Sequence, residues 1–147
     1  MIDVKTIIGT WLLLARGSDS AEDKQLLLDR YGNNPEGLLI ISDDGWMNAA
    51  LCWGGRPILA GNPPWHTDAP DNDRLAAFDT YISYGGRWSI KGNTLTTKVE
   101  IALNPGWVGG EQARTIEMAK NGVLKLHLSR VWPDNKTVNS WVSWRRA

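Results

Sequence analysis

A chain of 147 residues has room for one domain and not for two, so residues 1–147 are read as a single unit that can bury roughly two-thirds of its unfolded surface. Sixteen basic residues balance sixteen acidic ones, leaving no global field to draw the chain toward phosphate backbones or anionic membranes, which argues against nucleic-acid and membrane partners. The one cysteine, Cys52, excludes an internal disulfide and disfavours a thiolate metal site, a usage that points to the cytoplasm.

The apolar stretch from Ile7 to Ala15 follows both Asp3 and Lys5 and leads to no small-residue cleavage site, so it is not read as a signal peptide. No apolar run approaches the roughly twenty residues that span a bilayer. Within and after that stretch, Thr10 to Leu14, Gly37 to Ser42 and Trp46 to Trp53 are rich in aliphatic and aromatic residues and bounded by Gly, Asn and Asp, as strands are. Asp43-Asp44-Gly45-Trp46 joins the second to the third. Asp-Gly between apolar runs is a hairpin signal because the turn needs positive φ, so these two strands are predicted to be antiparallel neighbours.

Gly54 to Asp73 carries glycines, four prolines, Trp65 and His66 without sustained periodicity, and reads as a long surface loop of the kind that serves as a lid. Asp73 to Tyr84 then sets Leu75, Phe78 and Ile82 at helical spacing, with Asp71 or Asn72 as a cap, and predicts the one helix. Five further runs follow: Gly86 to Lys91, Thr94 to Leu103, Glu111 to Ala119, Val123 to Val131 and Val138 to Arg145, separated by Gly-Asn, Pro-Gly, Asn-Gly and Pro-Asp-Asn signals. In the run from Thr94, Leu95, Thr97, Val99, Ile101 and Leu103 alternate with Thr96, Lys98, Glu100 and Ala102. The total is about eight strands and one helix. Strands this short do best when closure removes their edges, so the predicted fold is mainly β, a closed antiparallel barrel.

Nine tryptophans stand against one phenylalanine and three tyrosines. Indole combines a large apolar surface with one N–H donor and serves a core or a binding pocket equally well. Nine of them in so small a domain imply that some line a cavity, and Trp46, Trp88, Trp107 and Trp144 are the candidates.

Several ordered blocks resemble a known family. Gly9-Thr10-Trp11, Asn34-Pro35-Glu36-Gly37-Leu38-Leu39-Ile40, Asp44-Gly45-Trp46-Met47, Phe78-Asp79-Thr80-Tyr81-Ile82-Ser83-Tyr84-Gly85-Gly86, and the segment from Val99-Glu100 through Pro105-Gly106-Trp107-Val108-Gly109 to Gln112 and Arg114 are similar to those of bacterial and fungal lipocalin-like domain proteins. The similarity runs from Gly9 to about Arg145 and implies a calycin-type barrel. One departure concerns the histidines that many members carry before the Val-Glu pair: Thr97 and Lys98 stand there instead, so no histidine-dependent role carries over.

Candidate chemistry centres on Glu100 and Arg114, on consecutive predicted strands. If both point inward they form a charged pair in a low-dielectric interior, either a structural pair holding register or an anchor for a ligand's carbonyl, hydroxyl or carboxylate. Gln112 shares Arg114's face by the period of two. A close arginine would lower the Glu100 pKa and so counts against base catalysis there. Tyr81 and Tyr84, spaced i and i+3, either pack against the barrel or turn a phenol to its mouth. His127 falls on the polar face of its strand with Lys125 and Ser129, as a surface group or a ligand contact; His66 lies in the Pro-rich loop. No phosphate-binding glycine loop, nucleophile elbow or paired metal-ligand histidines are present, so no cofactor and no metal are expected.

The leading functional expectation is a barrel that binds a small, flat or partly apolar organic molecule through Glu100, Arg114, Gln112, Tyr84, Tyr81, the four tryptophans and His127. A cofactor-free isomerase, cyclase or hydratase acting on a small metabolite in the same cavity is the alternative. A third reading, an interaction protein using Gly54 to Asp73, requires a barrel filled by its own side chains. Nothing in the sequence sets an oligomeric state.

Overall fold

A computed structural model describes all 147 residues. Eight strands run consecutively around a closed antiparallel barrel: β1 (Gly9–Ser18), β2 (Glu36–Ile41), β3 (Trp46–Cys52), β4 (Tyr81–Lys91), β5 (Thr94–Ala102), β6 (Glu111–Met118), β7 (Leu124–Val131) and β8 (Thr137–Arg146). Pairing of β8 with β1 closes the ring and leaves no unpaired edge. The hairpin expected at Asp44-Gly45 joins β2 to β3 in the register Ile41↔Met47, with Gly45 at φ +94°.

Two helices are present where one was expected. The addition is α1 (Ala21–Tyr31), between β1 and β2; α2 (Asp71–Asp79) is the anticipated one, shifted toward the N-terminus. No apolar stripe marks α1, since Leu26 and Leu28 are exposed and only Asp23 and Tyr31 are buried. Its ends define it instead. The Ser20 side chain accepts from the Asp23 N–H, Glu22 and Asp23 sit in the first turn, Arg30 in the last, and Gly32 follows at φ +70°. The second helix stops at Thr80, whose hydroxyl donates to the Ala76 carbonyl. Tyr81 and Tyr84 therefore stand on β4 and not on a helix.

The three longest connections all follow odd-numbered strands, after β1, β3 and β5, and this gives the barrel two different ends. The short turns after β2, β4 and β6 lie at one end together with a single 3-10 turn at Val4–Thr6. That end is sealed. Ile7 is fully buried, Trp11 Nε1 donates to the Ile7 carbonyl at 2.8 Å, and Arg146 reaches back to the carbonyls of Thr6 and Ile8. The other end carries α1, the connection with α2, the segment between β5 and β6, and the turn between β7 and β8.

Two irregularities set which side chains face inward. Between β4 and β5, Gly85 pairs with Ile101 and Gly86 with Val99, so Glu100 is the extra residue of a bulge. A Cβ at Gly86 would run into the Lys98 carbonyl, which is why the bulge faces a glycine. A second bulge at Leu14 separates Leu13↔Trp144 from Ala15↔Ser143.

Candidate ligand site

The open end encloses a cavity of about 900 Å³, within the range of small-molecule sites. The first helix supplies Asp23, Leu26, Leu27 and Arg30 to its lining. Trp53 follows β3, Phe78 to Ile82 lead from α2 into β4, Leu103, Asn104 and Trp107 precede β6, and Arg130 and Trp132 end β7. Aromatic and aliphatic side chains make up just over half of the walls, and Asp23, Asp29, Arg30, Asp79 and Arg130 bring charge to the rest.

Tyr84 and Trp107 form the innermost aromatic contact. Their rings meet edge to face, 5.9 Å apart at 76°. Burial pushes the Tyr84 phenol pKa up, while the positive charge of Arg114 acts in the opposite sense, so the hydroxyl is a neutral hydrogen-bonding group at ordinary pH. Tyr81 lies at the rim with the Arg56 guanidinium 5.3 Å from its ring centre. Arg56 also donates to Thr80 Oγ1 and to the Ala77 carbonyl, and the Ala60 N–H donates to Asp73. The connection read as a lid is thus tied to α2 at two points, with Ile58 and Trp65 left exposed on it.

Arg114 and Gln112 face inward. They pair with Leu95 and Thr97, both almost wholly buried, and directly opposed residues share a face of the sheet. Arg114 donates to Gln112 Oε1 at 3.0 Å and to the Ala113 carbonyl at 2.7 Å. These two form the contact that the Glu100–Arg114 pair was expected to make. Glu100 lies on the outer surface at the bulge, beside Ile101, and the two expected partners stand on opposite sides of the wall.

Four further candidates are corrected, two by strand face and two by depth in the barrel. Trp46 points outward, 39% exposed, with Arg87 stacked 4.5 Å from its ring centre. His127 also points outward, hydrogen-bonded to Glu117 at 2.7 Å and tilted against Trp141. Trp88 and Trp144 do point inward, but in the sealed half: Trp88 Nε1 donates to the Ser42 carbonyl, and Trp144 opposes Leu13 and Leu124. Trp107 alone of the four expected tryptophans lines the cavity.

Sequence reasoning missed Trp53, Trp132, Asp23 and Arg130 at the cavity, and Arg16 in a smaller pocket between β1 and α1. Asp23 is 2% exposed and accepts from Arg130 at 2.8 Å, joining α1 to β7. Trp53 and Trp132 come just after β3 and β7, two odd-numbered strands. In an up-and-down barrel the odd-numbered connections share one end, and that signal would have placed both at the mouth.

No three His, Cys, Asp or Glu side chains gather as metal ligands, and no helix is long and apolar enough to cross a membrane. No curated protein matches the chain. A family model described as a lipocalin-like domain matches residues 8–147, and that match, laid over a closed eight-stranded antiparallel barrel, makes the chain a member of the lipocalin-like domain family.

Proposed function

We propose that the protein binds a small, flat or partly apolar organic molecule in the cavity at the open end of the barrel. The observation that carries this reading is the cavity itself: about 900 Å³, lined by Trp53, Phe78, Trp107 and Trp132, with the buried Tyr84 ring edge-on to Trp107. Aromatic walls give a flat molecule area without demanding hydrogen bonds, and a few polar groups then orient it. The polar groups at the lining are the cations Arg30 and Arg130, the carboxylates Asp23, Asp29 and Asp79, and Thr80, Tyr81 and Asn104. The filled barrel required by a pure interaction protein fits this end poorly.

Binding is favoured over turnover in the same cavity. Glu100 and His127, the titratable groups considered for acid or base work, both lie on the outer surface. Asp23 is engaged by Arg130. A general base must reach the proton it removes; neither Glu100 nor His127 reaches the cavity, and the other carboxylates that do line it, Asp29 and Asp79, are the groups a turnover reading would have to use.

The test uses N-phenyl-1-naphthylamine, a neutral, flat, apolar probe, together with mass analysis of a metabolite extract before and after incubation with the protein. Saturable probe fluorescence, weakened about tenfold or more by Trp107→Ala, with bound metabolites released unchanged, supports binding. Absence of saturable binding by the probe and by any extracted metabolite overturns it, and a converted metabolite establishes turnover instead.

A further inference from the structure

Inside the barrel the side chains change character with depth. The sealed half is apolar, filled by residues such as Trp11, Leu39, Leu95, Leu124 and Trp144. Toward the open end the interior holds guanidiniums from three strands. Arg16 on β1 opposes Val142, Arg114 on β6 opposes Leu95, and Arg130 on β7 opposes Val138. Val142 packs against the core and the other two partners are buried. All three arginines therefore face inward.

Against these three cations there is one buried carboxylate, Asp23, and it is held by Arg130. Arg16 lies 4.1 Å from the centre of the Tyr31 ring, and its Nε is buried without a partner in the chain. Burial lowers its pKa from the ordinary arginine value; the neighbouring Tyr31 opposes the shift, and Arg130 and Arg114 add a smaller repulsion. Arg114 is half-buried and Arg130 half-exposed at the rim, so the unpaired buried donor is that of Arg16, and such a group costs stability. A fold that keeps the three guanidiniums on separate strands is arranged for a negative group to complete the set.

We propose that Arg16 and Arg114, with Arg130 on their outer side, form an anion subsite beneath the cavity, and that the ligand is an organic acid. Its apolar body lies against Trp107 and its carboxylate reaches inward to the guanidiniums. A planar guanidinium offers paired donors that match the two oxygens of a carboxylate. Gln112 acts as a positioning residue: its Oε1 accepts from Arg114 Nη2 and fixes the plane of the fork. This inference rests on the cavity being the ligand site.

Two probes with one body separate the two ideas. 8-Anilinonaphthalene-1-sulfonate carries an anion, and N-phenyl-1-naphthylamine is the same ring system without it. The full chain is expected to bind the anionic probe about tenfold tighter or more, the value of one charge-assisted contact. Arg16→Gln and Arg114→Gln should each remove most of that preference and leave the neutral probe's Kd unchanged. Arg145→Gln, which removes an exposed arginine paired with Leu12 on the outer face, should alter neither. Should a variant fail to fold, the unsubstituted protein still decides: 1-naphthoate should displace the neutral probe at lower concentration than 1-naphthylmethanol. Equal displacement, or equal affinity for the two probes, overturns the anion subsite and leaves the cavity reading standing. Failure of every probe to bind overturns both.

Discussion

Two buried indoles show how much one hydrogen bond decides. Trp11 and Trp144 are 1% and 2% exposed, and both face the sealed half of the barrel. Trp11 Nε1 donates to the Ile7 carbonyl, whereas Trp144 Nε1 is buried without a partner. Trp11→Phe therefore loses volume and also strands a carbonyl, while Trp144→Phe loses volume but removes an unpaired donor. Urea unfolding is expected to show a loss at least about 1 kcal/mol larger for Trp11→Phe, since a stranded buried polar group costs about 1–3 kcal/mol. Equal losses would mean that the unpaired donor carries no cost. Residue identity was legible here, and facing was only half legible. Alternation places Leu95, Thr97 and Val99 on one face and already sets Glu100 on the other. The bulge at Glu100 then turns Ile101, the next residue of the expected apolar series, out to solvent at 68% exposure. A two-residue period cannot announce the position at which it is reset.

At the scale of elements, strands were more legible than helices because their signals are of different kinds. Period two and turn signals such as Asp-Gly, Gly-Asn, Asn-Gly and Pro-Asp-Asn mark the tight hairpins, so seven of the eight strands differ from expectation mainly at their ends. β4 starts earlier, at Tyr81, and so takes in Tyr81 to Tyr84, which the helical spacing of Phe78 and Ile82 assigns to the helix. The helix α1 escaped because caps rather than periodicity mark it. It follows that its cap matters: Ser20→Ala should cost about 1 kcal/mol and Ser20→Asp should restore it. The same substitution should weaken neutral-probe binding, because α1 supplies Asp23, Leu26, Leu27 and Arg30 to the cavity. An unchanged Kd with lowered stability would separate the helix from the site. Two carboxylates tie strands at the surface. Asp19 accepts from the backbone and side-chain nitrogens of Asn139, which hold its pKa below the ordinary value, and Glu117 is held low chiefly by its hydrogen bond to His127. A pKa depressed by folding gives stability that is present above the unfolded pKa and lost as pH falls through the folded one. The melting temperature should accordingly decline as pH falls below the ordinary carboxylate range, and less steeply in Asp19→Asn and Glu117→Gln than in the parent. Parallel curves would show that these contacts do not report on folding.

For the whole molecule, closure of the ring and division of labour between its ends were implicit in the order of long and short connections, but which side chains fill the space between them was not. The wall sequence says where a side chain can point; the shear of the closed barrel decides what it meets across the interior. Arg146 tests how independent the two ends are. From the last residue of β8 it donates to the carbonyls of Thr6 and Ile8, and its guanidinium lies 4.1 Å from the centre of the Trp11 ring. Gly9 lies beneath this crossing at φ +132°, where a Cβ would strike the Arg146 guanidinium. One side chain thus joins β8 to the N-terminal segment and covers the indole that plugs the sealed end. Arg146→Ala removes two hydrogen bonds and a cation–π contact, and should cost about 1–3 kcal/mol. Arg146→Lys should recover only part of this, because an ammonium cannot form the planar fork that spans two carbonyls while stacking. Hydrogen exchange should accelerate in residues 6–11 and at the end of β8 while neutral-probe affinity at the open end stays unchanged. If affinity falls along with exchange protection, the sealed end also shapes the cavity, and the two ends act as one cooperative unit.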